Sequence, residues 1–298
     1  MGPRFSRLQR RIENRLKRMK VQTMDTLSLA PRDFSWKIRW RMKHDRNPLF
    51  IEVQDKYKVK VYTQERGVRA AELFYVTDKP ETIPFDTLPE NCFIKANHGC
   101  NWNILREKGD LYIFDDGSGI SDSSKKSKLK ISEQECIQYC ETWLGQIYSK
   151  REWAYQHIPP RIIVEECLVQ AGGEGDLKDY RFYVFNGAVK AISVGSPSYR
   201  MRHETVFLEP TWSPFKLGTY TDKIPDPFPE KPENLQDMID VAQRLGRDLD
   251  FVRVDLFNTT RGITLGEMSI YPLSGGPLTG DAKFNQWMGD QWTLPRTS

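Results

Sequence analysis

The stretch Phe251-Val-Arg-Val-Asp-Leu-Phe257 and its successor Ile263-Thr-Leu-Gly-Glu-Met-Ser269 read as two strands joined by the turn Asn258-Thr-Thr-Arg-Gly262. Side chains alternate across a strand, so Arg253 and Asp255 share one face while Val252, Val254 and Leu256 take the other, and Glu267 and Ser269 likewise share a face. Paired strands lie roughly 4.8 Å apart, which lets Asp255 and Glu267 clamp one or two Mg²⁺ ions through oxygen ligands, as nucleotide-phosphate sites require. The competing possibility is a surface hairpin with solvated charges. Two acids and an arginine on otherwise apolar strands weigh against it, because they are costly to bury without an ion or phosphate to pair with.

At 298 residues the chain can bury a substantial core and divide into subdomains around one cleft. No apolar run approaches the roughly 20 residues needed to span a bilayer, and the start lacks the apolar segment of a secretory signal, so a cytoplasmic protein is expected. The five cysteines, Cys92, Cys100, Cys136, Cys140 and Cys167, are odd in number and form no CxxC pair, which argues against a disulfide framework and a zinc site. Cys136 and Cys140 lie four apart on a predicted helix with Trp143, Leu144 and Ile147, a packing pattern.

The formal charge of +4 is concentrated at the front. Residues 1–20 hold eight Lys or Arg against Glu13, a net +7, which leaves the remainder at −3 and excludes the body as a nucleic-acid binder by charge. Phe5, Leu8, Ile12, Leu16 and Met19 recur there at spacings of three and four, the pattern of an amphipathic helix with a cationic face. Such a helix either rests on an anionic membrane surface or acidic partner, or packs on the body with its arginines solvated.

Residues 33–48 are helical in period and stop at Pro48, and a second helix is predicted from there to Gly67, whose glycine reads as a C-cap. Short strands are predicted at 73–76, 92–95 and 111–114. A polar segment over 115–130 and a helix over 132–149 follow, then a strand over 161–169 that carries two acids. Asn186-Gly187 joins two strands in the strongest hairpin signal of the chain. Residues 209–234 are proline-rich, and a helix over 234–249 with Leu235, Met238, Ile239, Ala242 and Leu245 on one face precedes the carboxylate hairpin.

Phosphates with Mg²⁺ also need cations, and Lys56 and Lys95 each stand at the edge of a regular element. Lys95 ends the strand Cys92-Phe-Ile-Lys95 and is followed by Asn97, His98 and Gly99, a small loop whose backbone N–H groups suit oxygen anions. Neither GxxxxGK[ST] nor a strand-linked GxGxxG occurs, which excludes a Walker loop and a dinucleotide fold. Arg200, Arg202 and His203, and Ser274-Gly-Gly276, are candidate contacts for a substrate carboxylate or else solvated loop.

Taken in order, these blocks resemble the ATP-grasp superfamily, specifically its teichuronopeptide-biosynthesis (TupA-like) branch. The resemblance is carried by Lys37-Ile-Arg-Trp40, Asp45-Arg-Asn-Pro-Leu49, Asp55-Lys56-Tyr57, Phe93-Ile-Lys-Ala-Asn-His-Gly99 and Arg161-Ile-Ile-Val-Glu-Glu166. Asp179-Tyr-Arg-Phe-Tyr-Val-Phe-Asn-Gly187, Val252-Arg-Val-Asp255 and Gly266-Glu-Met-Ser-Ile-Tyr-Pro272 complete it. It implies an α+β, ATP-grasp fold in which two α+β lobes sandwich ATP, with residues 1–50 a basic helical extension and 51–298 the ATP-grasp domain, divided near 90–165 and 166–298.

It also implies site roles. Lys56 and Lys95 bind the phosphates with the loop of His98 and Gly99. Glu165 accepts from the adenine amino group, the backbone of Glu166 and Leu168 supplies hinge hydrogen bonds, and Asp179 holds ribose hydroxyls. Asp255, Glu267 and Ser269 hold Mg²⁺, Ser269 standing where many ATP-grasp ligases carry asparagine and offering a shorter oxygen donor. Arg253 and Lys95 act on the transferring phosphoryl group.

The implied activity is carboxylate–amine ligation through an acylphosphate in cell-surface polysaccharide assembly, joining an amino acid or amine to a uronic acid. The basic helix would keep the protein at the inner face of the membrane. A sugar or lipid-head-group kinase and a non-catalytic ATP-binding subunit are the alternatives; the intact set Lys95, Arg253, Asp255 and Glu267 weighs against the latter. Deleting residues 1–20 is expected to spare ATP binding but weaken sedimentation with anionic vesicles, with a smaller loss at high salt; equal vesicle binding by both forms would contradict the membrane role.

Overall fold

The computed structural model describes residues 33–115, 127–172, 177–195, 206–217 and 228–295. The basic segment 1–20 and Arg200, Arg202 and His203 lie outside the described residues. Helix α1 (Phe34–His44) starts where Asp33 accepts a 2.7 Å hydrogen bond from Trp36 N. Its Phe34, Ile38 and Met42 share one buried cluster with Phe185, Phe251 and Trp292, and one compact unit starts at Asp33. Arg41 of the same helix is fully buried, donates to Phe251 O at 2.8 Å, pairs with Asp250 and lies over the Trp292 ring at 4.3 Å.

The single helix expected between Pro48 and Gly67 is two: α2 (Leu49–Gln54) and α3 (Lys58–Glu65). Asp55 causes the break. Its carboxylate accepts from Tyr57 N and from Asn97 Nδ2, both at 2.8 Å, offering the backbone a local alternative to the helical ladder. The chain turns there, and Lys56 N donates to Asn97 O at 3.1 Å.

The strands form two six-stranded sheets. Those of the first are β2 (Leu73–Thr77), β3 (Cys92–Ala96), β4 (Asn103–Glu107), β5 (Asp110–Asp115), β6 (Ser127–Ile131) and β7 (Ile162–Glu166). They are ordered β2-β7-β3-β4-β5-β6 and wholly antiparallel. Helix α4 (Glu133–Leu144) opens with a Ser132–Glu135 capping box and presses Cys136, Cys140 and Trp143 into the core of this sheet, where the cysteines serve as packing.

The second sheet takes β1 (Arg69–Ala70), β8 (Asp179–Phe185), β9 (Ala188–Gly195), β10 (Val206–Leu208), β11 (Phe251–Thr259) and β12 (Gly262–Ser269), ordered β1-β12-β11-β8-β9-β10. Asn186 and Gly187, at φ +48° and +77°, make the β8–β9 turn as the sequence foretells. Helix α5 (Leu235–Gly246) buries its apolar stripe in the core that the second sheet shares. Two sheets with helices packed against them are the expected α+β architecture. Among the described residues no helix is long and apolar enough to cross a membrane.

Behind the second sheet, Gly275 at φ +74° touches α1 so closely that a Cβ would lie 2.6 Å from Arg39 Cγ and 3.1 Å from Ser35 O. Gly275→Ala therefore combines a left-handed backbone with a clash against the Arg39 side-chain stem and tight contact with the main chain of α1. It is expected to lower unfolding free energy by about 1–3 kcal/mol in urea titration.

Candidate active site

Pairing of β11 with β12 sets Arg253 opposite Ser269 and Asp255 opposite Glu267. The ladder slips after Asp255, where Leu256 faces Leu265 and Gly266 is the extra residue. A Cβ on Gly266 would lie 2.3 Å from the Phe257 ring, so only glycine lets that ring lie over the strand. On the other side of β11, Arg181 stands opposite Asp255 and Asp179 opposite Phe257. One face of the sheet thus carries two arginines and three acids.

Arg253 grips Asp255 with both ends of its guanidinium, Nε–Oδ1 at 2.7 Å and Nη2–Oδ2 at 2.6 Å, and reaches Glu267 at 3.7 Å. Arg181 holds Asp179 by one oxygen only, Nε and Nη2 meeting Oδ2 at 2.8 and 2.7 Å while Oδ1 has no hydrogen-bond partner. Burial, aided by the neighbouring Asp179, pushes the Asp255 carboxyl up to about 7 against the pull of Arg253. Burial also works against the charge on Arg253, but the attraction of Asp255 exceeds it and raises the guanidinium pKa.

A cavity of about 420 Å³ lies between this face and the first sheet, bounded by Lys56, Lys60, Lys95, Glu165, Phe257 and Glu267. Glu165 is its electrostatic centre. One carboxylate oxygen meets Lys95 Nζ and the other Lys60 Nζ, each at 2.6 Å. Burial alone would raise its pKa, but Lys95 and Lys60 hold it down to about 2. Lys56 donates to Gly99 O at 2.6 Å. Burial opposes its charge, yet the attraction of Cys100, Glu267, Glu165 and Asp55 leaves its pKa raised.

The other expected site residues fall as follows. Glu166, Cys167 and Leu168 line the cavity, but Glu166 N donates to Glu72 O at 2.9 Å and its carboxylate binds Arg69 and Arg261, so its N–H is not available as a hinge donor. Glu165 carries a lysine on each oxygen and is turned to the cationic end rather than offered to a purine amino group. The His98 side chain is buried outside the cavity, with Nδ1 3.0 Å from Asn97 Oδ1 and Nε2 3.0 Å from the Trp143 carbonyl. Burial lowers its pKa, so the imidazole is a neutral brace. Asp179 does not line the cavity itself; its strand partner Phe257 does.

Lys60 and Arg181 were not singled out in the sequence. Both obey periods that point to them: Lys60 stands four residues after Lys56, one turn along the helix expected between Pro48 and Gly67, and Arg181 is two residues from Asp179 on a strand.

The donor set fits Mg²⁺. This ion is usually held by one or two carboxylates together with substrate phosphates and water, and Asp255 and Glu267 supply such a pair in register. The raised carboxyl of Asp255 marks a charge for which Arg253 alone does not compensate. Among the described residues no group of three or more His, Cys, Asp and Glu forms a closed metal cage, so phosphate oxygens would have to complete the sphere.

The family model described as TupA-like ATPgrasp matches residues 36–293. The chain belongs to that family. No curated protein matches the sequence. Among solved structures, D-alanine–D-alanine ligase from Helicobacter pylori is 16% identical, with 82% of this chain and 61% of that one covered at a TM-score of 0.45. The Chryseobacterium gregarium RiPP-associated ATP-grasp ligase, in complex with ADP and a leader and core peptide, is 11% identical, covering 85% and 63% at 0.41. N5-carboxyaminoimidazole ribonucleotide synthetase from Thermotoga maritima is 11% identical, covering 83% and 51% at 0.39. This TupA-like chain spans between half and two thirds of the length of each.

In the TupA-like protein, the depressed Glu165 carboxyl links the site to stability. Its contribution is full above its ordinary value of 4.5 and disappears as pH falls through about 2. Wild type is expected to exceed Glu165→Gln by about 3 kcal/mol in urea unfolding near neutral pH, with the gap closing as pH falls from 4.5 towards 2. A gap that does not vary with pH would show that Glu165 is not ionised between its lysines.

Proposed function

We propose that this protein is an ATP- and Mg²⁺-dependent carboxylate–amine ligase of cell-surface polysaccharide assembly, joining an amino acid or another amine to a uronic acid. The observation that carries the proposal is the polarity of one cavity. Three lysines stand along one wall, and on the other Glu267, in register with Asp255, lies beside Arg253. Family membership supports the ATP-grasp assignment. The uronic acid and the polysaccharide follow from the family's TupA-like character and not from the cavity.

Lys95 and Lys56 are the phosphate ligands. Lys95 leaves Glu165 for the anion while Lys60, which also donates to Ala71 O at 2.7 Å, retains it. The purine edge is left to the backbone around Cys167 and Leu168 and the apolar wall of Phe93, Leu177 and Phe257. Asp255 and Glu267 would hold Mg²⁺, which when bound neutralises phosphate charge as a Lewis acid. Arg253 stays charged, fixed in direction by Asp255, and stabilises negative charge on the phosphoryl group as it passes to the acid. The amine then attacks the acylphosphate carbonyl and phosphate departs. We place the protein at the inner face of the membrane through residues 1–20.

The test is ADP release with Mg²⁺ against uronic acids crossed with amino acids and simple amines, with hydroxylamine as a trap for the acylphosphate. Release that needs both partners, and hydroxamate with the trap, is expected. Release with one hydroxyl-bearing sugar alone would replace the ligase by a kinase. Asp255→Asn and Glu267→Gln are each expected to remove Mg²⁺-dependent turnover while circular dichroism stays that of wild type.

A further inference from the structure

Gln54, the last residue of α2, lines the cavity two residues before Lys56 and is only 3% exposed. Both ends of its amide are engaged. Oε1 accepts from Ile270 N at 2.9 Å, and Nε2 donates to the Tyr155 hydroxyl at 3.0 Å. Chemistry fixes which end points where: a backbone N–H only donates, so the carbonyl end must face Ile270, whereas a phenol both donates and accepts.

Both contacts lead to the strand of Glu267 and Ser269. Ile270 follows Ser269, whose pairing with Arg253 is the last rung of the β11–β12 ladder, and Gln54 supplies the acceptor for the N–H that comes after it. Tyr155, on the 3₁₀ turn Trp153–Gln156, meets Cys100 Sγ at 3.4 Å, and that thiol donates to Glu267 Oε1 at 4.0 Å, a long contact through sulfur. With the one thiol proton directed at Glu267, the phenol donates to the sulfur, so the donors run in one direction from the amide to the carboxylate. In the chain, Gln54 is followed by the cationic side of the site: Asp55 accepts from Asn97 Nδ2, Lys56 N donates to Asn97 O and Lys56 Nζ donates to Gly99 O. One buried side chain thus stands between the segment that carries Lys56 and the strand that carries Glu267. A phosphate bridged by Mg²⁺ would span the same two parts, and Mg²⁺ demands oxygens at about 2.0–2.1 Å in near-octahedral array, so their separation decides whether ion and nucleotide reinforce each other.

We propose that Gln54 is a positioning residue that sets this separation and thereby couples Mg²⁺ binding to nucleotide binding. The proposal rests on the nucleotide and Mg²⁺ assignment made above and deepens it. Gln54 acts through Ile270 and Tyr155 and not as a ligand. Linkage is reciprocal, so the coupling is the factor by which Mg²⁺ tightens nucleotide binding.

The experiment measures ADP binding to the full-length protein by isothermal titration calorimetry, in EDTA and again in saturating Mg²⁺, and takes the ratio of the two dissociation constants. Wild type is expected to bind ADP more tightly with Mg²⁺. Outer partners of metal ligands commonly account for about 10–100-fold in metal affinity, so Gln54→Met, which keeps the length and loses both hydrogen bonds, is expected to cut the ratio about tenfold while affinity in EDTA stays within about twofold. Tyr155→Phe, which keeps the ring and frees one end of the amide, is expected to cut the ratio severalfold and carries the test if Gln54→Met does not fold. Gly275→Ala, destabilised behind the second sheet, is the control for a purely structural effect and is expected to keep the wild-type ratio. An unchanged ratio in either folded variant, or an equal fall in Gly275→Ala, would overturn the proposal and leave the site assignment standing. Wild type that gains nothing from Mg²⁺ would instead remove the metal assignment and this proposal with it, and hydroxamate formation reads the ligase separately from both.

Discussion

The site depends on the bidentate pairing of Arg253 with Asp255 in the middle of the second sheet. Replacing a buried ion pair by apolar side chains of similar volume often costs a protein nothing, so stability does not explain this one. What the pair supplies is direction. A guanidinium held at both ends cannot swing, and a carboxylate so held stays aligned with Glu267 across the ladder. A second ion pair one strand away, Arg181 on one oxygen of Asp179, extends the same polar stripe. It also brings Asp179 close enough to lift the Asp255 carboxyl, so the stripe as a whole attracts further positive charge.

The lysine wall works by the opposite logic. There one carboxylate, Glu165, answers two ammonium groups, and the local charge is positive. The two lysines are not equivalent. Lys60 is the more enclosed and has a carbonyl as a second acceptor, whereas the Lys95 side chain is more exposed and lies beside the Phe93 ring. Each lysine takes a different oxygen of Glu165, so the carboxylate does not depend on Lys95 alone. The buried Glu165 carboxylate is thus answered on both oxygens.

Strand-borne chemistry was partly legible in the sequence because a period of two pairs Arg253 with Asp255 and Glu267 with Ser269, but the register that runs from the turn would set Glu267 opposite Val254, and the shift at Gly266 brings the two pairs to one face. The bulge at Gly266 was not legible, since it answers the size of the Phe257 ring. The break between α2 and α3 was hidden for a related reason. Asp55 leaves the helix because Asn97, far along the chain, shares its carboxylate. His98 looked like part of a polar phosphate loop, but its ring is drawn inward by the Trp143 carbonyl. Glu165 was assigned to a purine because the lysines that claim it come from a different helix and a different strand. In each case local pattern gave the element, and a partner remote in sequence decided what the side chain did.

The same rule connects α1 to the turn at Ser274. The turn that carries Ser274 is held from behind by this helix: Arg39 Nη1 donates to Gly275 O at 2.7 Å, and Ser35 Oγ donates to Gly276 O at 3.2 Å and meets Asn285 Oδ1 at 3.0 Å. From the front it is held by Glu152. Two consecutive left-handed residues, Leu273 and Ser274, cost on the order of 1–3 kcal/mol each, and they persist only where surrounding contacts over-determine the backbone. Here those contacts come from both sides. A helix that touches neither the phosphate cavity nor the carboxylate hairpin's polar face thus sets the shape of the turn beside Glu152. This accounts physically for a compact body that begins at Asp33 and for a family match that starts at residue 36, within α1 itself.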